Sequence, residues 1–228
     1  MKYFYHSFLI LLFFSFYSIG QITPAQMVTN MGRGINIGNV LSAPKEGNWA
    51  PALTESYIED VAAVGFKTVR IPIDFFGSRT SGDTSGYSKN KNSSSSYSGS
   101  ASDYIVSSAY LDRIEQVIQW SLNQGLITIL DFHGSTLKSE FTYTFSAKDK
   151  WSAYYTDPTS AKRAADNQKF RAIWAQIANR FKDYSDNLIF EVINEPYFWI
   201  SDDEMDVLNT DIISIAVSYT HLTLPTTP

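Results

Sequence analysis

An amide and a carboxylate stand side by side at the end of an aliphatic run, where they could carry out acid–base chemistry. The stretch LIFEVINEPY, residues 188–197, ends its apolar part at Asn194, Glu195 and Pro196. Such a run is typical of a strand buried on both faces of a parallel sheet, and a proline cannot continue that strand. Asn194 and Glu195 are therefore predicted at the carboxyl end of a strand, where α/β folds place their chemistry.

Charged and titratable residues also interrupt two further apolar stretches. Arg70 lies within VRIPI, and His133 follows ITILDF. Buried charges are rarely left unpaired, so Arg70 is expected to form an ion pair, which by this rule alone is a structural one. Asp131 lies two residues before His133 and points to the same side of the strand, so it is a candidate partner of the imidazole. His133 itself is either a site residue or a packing residue with a satisfied ring.

Strand-like and helix-like stretches alternate along the chain and must position these residues. Strands are predicted at residues 34–41, 67–75, 127–133 and 188–197, and helices at residues 54–66, 108–126, 164–184 and from a capping box at 201–204 to about 217. Repeated βα units with helical crossovers indicate an α/β fold with a parallel sheet. Residues 77–107 are rich in Ser and Gly without periodicity, which predicts a long functional or mobile loop.

Composition bounds the class of protein. The chain has 228 residues, with 44% hydrophobic and 18% charged residues, as in globular proteins. That length suits one domain, although a complete (β/α)₈ barrel needs about 250 residues. A net charge of −5 argues against nucleic acid or an anionic membrane as the partner. The absence of cysteine excludes disulfides, zinc–thiolate sites and thiol catalysis.

The first 20 residues have the features of a secretory signal peptide. Lys2 supplies the charge, residues 8–17 form a short apolar core, and residues 18–20 offer small side chains for cleavage. The alternative is a membrane span, but that requires about 20 apolar residues. We therefore expect a mature chain from Gln21 that is exported to the extracellular space or periplasm, without a membrane anchor.

Four motifs in order carry a resemblance to a known family. RGINIGNVLSAPKEGNW, VRIPIDF, ILDFHG and LIFEVINEPY resemble glycoside hydrolase family 5, the retaining cellulase family, from about Gly34 to Val217. The resemblance implies a (β/α)₈ TIM barrel, of which this chain carries the first four βα units, a half barrel. It also implies cleavage of β-linked glucans or mannans by a monomeric enzyme that needs no cofactor and no metal.

The resemblance gives roles to the residues at the strand ends. Retaining glycosidases use two carboxyl groups about 5–5.5 Å apart, and Glu195 matches the acid/base, expected to be buried with a raised pKa. Asn194 matches the residue that hydrogen-bonds the sugar 2-OH, Arg70 the residue that holds the nucleophile ionised, and His133 a residue of the catalytic floor. Gly134 stands where many members have a second His. Read without the family, Glu195 is a solvated loop carboxylate and Asn194 a turn former.

Substrate contacts are expected from loops at the strand ends. Trp49, Tyr197 and Trp199 could stack on pyranose rings, with core packing as the equal alternative for each. Asn36 lies in the first strand and is interpreted as structural rather than as a ligand contact, although both remain open. The polysaccharide is not fixed by these residues: cellulose, xyloglucan, lichenan and mannan all fit.

The expected nucleophile is not among these strands. The family places a second Glu at the end of strand seven, and none of Glu140, Glu191 or Asp202 sits at a later strand end. Glu191 lies in the same strand as Glu195 and cannot act across the barrel. Residues 218–228, SYTHLTLPTTP, depart from the family and are interpreted as read-through after a truncated reading frame. This chain by itself is therefore expected to be inactive.

Three hypotheses follow from these observations. The first is a secreted endo-β-1,4-glucanase of which residues 21–217 are the N-terminal half of the catalytic barrel. The second is a carbohydrate-binding remnant without catalysis. The third is a half barrel that assembles with a second copy or a complementing half, because four strands leave two open edges.

Overall fold

The computed structural model describes residues 22–75, 77–82, 84, 97–134, 161–196 and 202–220. The expected signal peptide, Glu140, Tyr197, Trp199, Ser201 of the predicted capping box and residues 221–228 lie outside the described residues. The elements are α1 (Pro24–Met31), β1 (Gly34–Asn36), α2 (Glu55–Ala63), β2 (Thr68–Ile73), α3 (Ser108–Asn123), β3 (Ile127–Phe132), α4 (Ala161–Phe181), β4 (Leu188–Glu191) and α5 (Asp202–Thr220).

The described strands form one parallel sheet in the order β1-β2-β3-β4. This confirms the predicted α/β fold with βα crossovers, four units of a barrel. The register places Asn36 opposite Arg70 and Asp131 opposite Glu191. Polar residues of all four strands are thus brought to the same end of the sheet.

The strands are shorter than the sequence predicts. β1 stops at Asn36, and Asn39 follows with a φ of 64°, a left-handed conformation that no strand continues. β4 stops at Glu191 rather than running to Tyr197. The sequence did not predict α1. Thr23 is its N-cap residue and forms a capping box with Gln26, and Pro24 occupies the first helical position.

The helices cover the sheet with the apolar stripes that the sequence predicts. α2 starts as expected after Thr54, which accepts a hydrogen bond from the backbone N–H of Tyr57 at 3.2 Å. In α3 the stripe residues Leu111, Ile114, Val117 and Ile118 are buried, and Leu122 is half-buried; in α4 Phe170, Ile173, Trp174, Ile177 and Phe181 are buried. Aromatic contacts at 5.0–6.0 Å join Phe132 to Phe75, Phe170 and Trp174, so Trp174 belongs to the core as predicted.

The described parts of the predicted long loop after β2 contain local structure. Short 3₁₀ helices lie at Gly77–Arg79 and Ala101–Asp103, and Thr80 pairs with Val106 in an isolated bridge. Gln176 on α4 accepts from the Val106 N–H and donates to the Tyr104 carbonyl, which fixes the return of the chain to α3. Within the described residues, no helix has the length and apolar character that crossing a membrane requires.

Candidate active site

Arg70 on β2 is the centre of a polar network at the carboxyl end of the sheet. Its Nε donates to Glu191 Oε2 at 2.7 Å, and its Nη2 donates to Glu191 Oε1 at 2.7 Å. This two-pronged contact is the geometry in which a guanidinium binds a carboxylate most strongly. Since β3 lies between β2 and β4, the Arg70 side chain reaches over a neighbouring strand, a span of about 9–10 Å.

The same guanidinium contacts residues of the other strands. Nη2 lies 2.8 Å from Asn194 Oδ1 and 2.9 Å from Asp131 Oδ2, and Nη1 donates to Asn36 Oδ1 at 3.0 Å. The hydrogen bond to Glu191, together with the negative charges of Asp131 and Glu191, outweighs burial and raises the pKa of Arg70. Arg70 is therefore a permanent cation that ties together β1, β2, β3 and the segment after β4.

Asp131 is a fully buried carboxylate within this network. Its Oδ2 accepts from His133 Nδ1 at 2.9 Å, while Oδ1 has no hydrogen-bond partner among the described residues. Burial raises the pKa of Asp131 and the charge of Glu191 adds to the rise, whereas His133 and Arg70 oppose it. Because an ionised carboxylate only accepts, the neutral His133 ring carries its hydrogen on Nδ1 and presents Nε2 as an acceptor. The predicted Asp131–His133 pairing is thus confirmed.

Asn194 and Glu195 follow β4 in different environments. Asn194 is 7% exposed, and its backbone N–H donates to the Phe132 carbonyl at 3.0 Å. Glu195 is exposed, and its φ of 40° is unusual for a residue with a side chain. The expectation that Glu195 is buried is therefore wrong, although its negative charge also helps to raise the pKa of Arg70.

The other predicted site residues are placed as follows. Asn36 accepts from Arg70, in agreement with its structural interpretation. Trp49 lies in the loop between β1 and α2 with 53% of its surface exposed, so the core-packing alternative is wrong for this residue. Tyr197 and Trp199 lie outside the described residues, and their predicted contacts stay predictions.

The loop that carries Trp49 is attached to α3. Arg113 on α3 donates from Nε and Nη2 to the two carboxylate oxygens of Glu46 at 2.9 and 2.8 Å, and from Nη2 to the Leu53 carbonyl at 2.7 Å. Glu46 Oε1 also accepts from the Leu53 N–H at 2.9 Å. The hydrogen bond from Arg113 is the main reason that the pKa of Glu46 is lowered. The aromatic side chain is thus displayed from an anchored loop.

Glu191 is the site residue for which the sequence analysis found no role. Its pairing with Arg70 is not among the contacts that the sequence predicts. Arg70, Asp131 and Glu191 are the charged residues within β2, β3 and β4. A charge inside an apolar strand predicts a partner of opposite charge, but which acid pairs with Arg70 depends on the register of the strands. Among the described residues, no group of three or more acidic or imidazole side chains is placed to hold a metal ion.

Comparison with known proteins extends these observations. A family model described as cellulase, glycosyl hydrolase family 5, matches residues 29–216. Endoglucanase H of Acetivibrio thermocellus is 33% identical over 195 residues, 85% of this chain and 17% of that protein. Endoglucanase A of Paenibacillus barcinonensis is 32% identical over 183 residues, 78% of this chain and 38% of that protein.

Solved structures show the same likeness. Thermotoga maritima Cel5A in complex with cellobiose superposes with a TM-score of 0.62 at 27% identity, covering 86% of this chain and 51% of that one. A tri-modular endo-β-1,4-glucanase of Bacillus licheniformis, complexed with cellotetraose, superposes with a TM-score of 0.63 at 29% identity, covering 86% and 32%. The chain thus spans about half the length of the Thermotoga protein and less than half of these curated relatives.

Proposed function

The chain belongs to the cellulase family, glycosyl hydrolase family 5, and on that premise we propose that it supplies the acid/base side of a retaining β-glucan hydrolase, with Glu195 as the general acid/base. In this mechanism one carboxylic acid protonates the leaving oxygen while a second carboxylate attacks the anomeric carbon. The first group then removes a proton from the incoming water. The nucleophile in this proposal is a carboxylate from outside the four described strands.

The observation that carries the proposal is the pair Asn194–Glu195 at the end of β4, with the Asn194 side chain held by Arg70. Glu195 is exposed at the edge where the strands end, so a glycosidic oxygen can reach it. Asn194 Oδ1 accepts a hydrogen bond from Arg70. The amide nitrogen is the donor end of the side chain, and we propose that it donates to a sugar hydroxyl next to the scissile bond.

Arg70 and His133 have supporting roles in the proposal. Arg70 is 22% exposed despite its four contacts, and its positive charge favours the ionised form of a nucleophile placed beside it. His133 is 31% exposed, and its Nε2 is proposed to accept a hydrogen bond from a sugar hydroxyl or a catalytic group at the floor of the site.

The proposed substrate is a β-1,4-linked glucan, and the enzyme is proposed to be secreted. The relatives named above are endoglucanases, and a solved relative is complexed with cellotetraose. Thermotoga maritima Cel5A has also been solved with mannotriose, so mannan is the alternative substrate. Exposed Trp49 is the proposed stacking surface for a sugar ring. The charged and apolar pattern of residues 1–20 supports export.

The test is Glu195→Gln in the active enzyme that contains these residues and the second carboxylate. We expect hydrolysis of barley β-glucan to fall about 10²- to 10⁴-fold, the range that a general acid/base contributes. A 2,4-dinitrophenyl cellobioside should retain much more of its first-step rate, because its leaving group departs without a proton. Glu59→Gln, which changes an exposed glutamate on α2, is the matched control. Unchanged β-glucan turnover in Glu195→Gln would contradict the assignment.

A further inference from the structure

We propose that Glu191 is a positioning residue: it holds the Arg70 guanidinium in the orientation that fixes the Asn194 amide beside Glu195. The inference rests on the proposed role of Glu195 and deepens it. Glu191 lies within β4 and acts through Arg70 rather than on the sugar itself.

Glu191 is the residue that determines the orientation of the guanidinium plane. It accepts from two nitrogens of Arg70, both at 2.7 Å. Asn36, Asn194 and Asp131 each contact one nitrogen, at 2.8–3.0 Å. A single contact leaves a guanidinium free to rotate about it, whereas a parallel pair of hydrogen bonds fixes the plane.

The fixed guanidinium in turn determines which way the Asn194 amide faces. Nη2 donates to Asn194 Oδ1 at 2.8 Å. The flipped amide would place its NH₂ group against a cation that has no acceptor, so the flipped state is disfavoured. Asn194 is 7% exposed and its backbone is bonded to Phe132, so little water is available to stabilise the flipped state. The NH₂ group of the Asn194 side chain therefore remains on the side away from Arg70.

Asp131 cannot replace Glu191 in this role. It lies on β3, next to β2, whereas Asn194 follows β4. Its Oδ2 already accepts from His133. When the two hydrogen bonds to Glu191 are lost, Asp131 is the remaining carboxylate in contact with the guanidinium. The attraction between Asp131 and Arg70 then draws Arg70 toward β3 and away from the Asn194 amide.

The test follows side-chain NMR signals in the ¹⁵N-labelled full chain. In Glu191→Gln we expect the Arg70 Nε–H to exchange with solvent about tenfold faster or more, and the Asn194 side-chain NH₂ signals to shift. Glu115→Gln is the matched control, because Glu115 likewise accepts from two nitrogens of Arg180, between α3 and α4. It should change the Arg180 signal and leave Arg70 and Asn194 unchanged.

Two results would overturn the inference. In the first, the Arg70 signal is unchanged in Glu191→Gln; in the second, it changes while the Asn194 NH₂ signals do not move. If Glu191→Gln does not fold, Arg70→Lys decides, because Lys keeps the charge between the two carboxylates but lacks the fork geometry. It should shift the Asn194 NH₂ signals, and unmoved signals would count against the inference.

A kinetic measurement links the positioning to the reaction. In the active enzyme, Glu191→Gln should lower kcat on β-glucan about a hundredfold, as small misplacements of catalytic groups do, with KM nearly unchanged. A fall in kcat no larger than that of Glu115→Gln would show that Glu191 is only a structural partner of Arg70. If the unaltered enzyme does not hydrolyse glycosides, the proposed function fails, and the NMR signals still decide whether Glu191 positions Asn194.

Discussion

Replacing Arg70 with Met should destabilise the fold by an amount that grows as the pH rises. Met keeps an unbranched apolar stem and removes the guanidinium. Asp131, whose side chain has no solvent exposure, loses its cation and keeps His133 as its partner. Glu191 is 34% exposed and can be rehydrated, so its loss of pairing costs little.

The magnitude follows mainly from Asp131. Removing one partner of a buried ion pair costs about 3–5 kcal/mol, and we expect the lower part of this range near neutral pH. Arg70 opposes the rise in the pKa of Asp131, so its removal raises that pKa further in the folded state. A carboxyl with a raised folded-state pKa contributes stability below its unfolded pKa of about 3.9 and loses it as the pH rises. Near pH 4 the expected cost falls to about 1–2 kcal/mol, from the lost hydrogen bonds.

Urea denaturation at about pH 4, 5.5 and 7, from near the unfolded-state pKa of Asp upward, measures this difference. Arg180→Met is the matched control, because Arg180 is 34% exposed and bonds Asp112 and Glu115 on the helices. It should cost no more than about 1 kcal/mol at every pH. An Arg70→Met cost equal to that of the control, or one that does not change with pH, would refute the reasoning.

Two further predictions concern Asp131 and Trp49. Asp131→Asn removes the carboxyl whose pKa is raised by burial. As the pH rises above about 4, the free energy of unfolding of this variant should therefore fall less than that of the unaltered chain. Parallel profiles of the two proteins in urea denaturation would contradict this. Trp49→Ala should weaken cellotetraose binding in calorimetry about fivefold or more through lost stacking. Val64→Ala is the control, because it shortens an exposed apolar side chain at the C-terminal end of α2, and it should leave binding unchanged.

The sequence predicts most of the fold because α3 and α4 have apolar stripes and β2, β3 and β4 are mainly apolar. The ends of β1 and β4 are predicted too long, since the turns at Asn39 and Glu195 depend on backbone conformations that composition does not reveal. The Asp131–His133 pair is predictable because two residues of one strand share a side. The Arg70–Glu191 pair is not, because it depends on a register across three strands.

The exposure of Glu195 shows a different limit. Burial of an acid/base carboxyl was expected from its chemistry rather than from the residues around it. Glu195 has a positive φ and is exposed, while its charge still contributes to the raised pKa of Arg70. The role that the family resemblance implies for Glu195 did not predict the environment of its side chain.

The anchored loop between β1 and α2 is a suitable place for protein engineering. Glu46 and Leu53 are bonded to each other and to Arg113, so both ends of the segment are fixed by contacts that do not involve Trp49. Residues 48–52 can then be exchanged for stretches of equal length, with Gly47 kept for its φ of 93°. A library confined to these positions would vary the displayed aromatic surface without changing Arg70 or its partners.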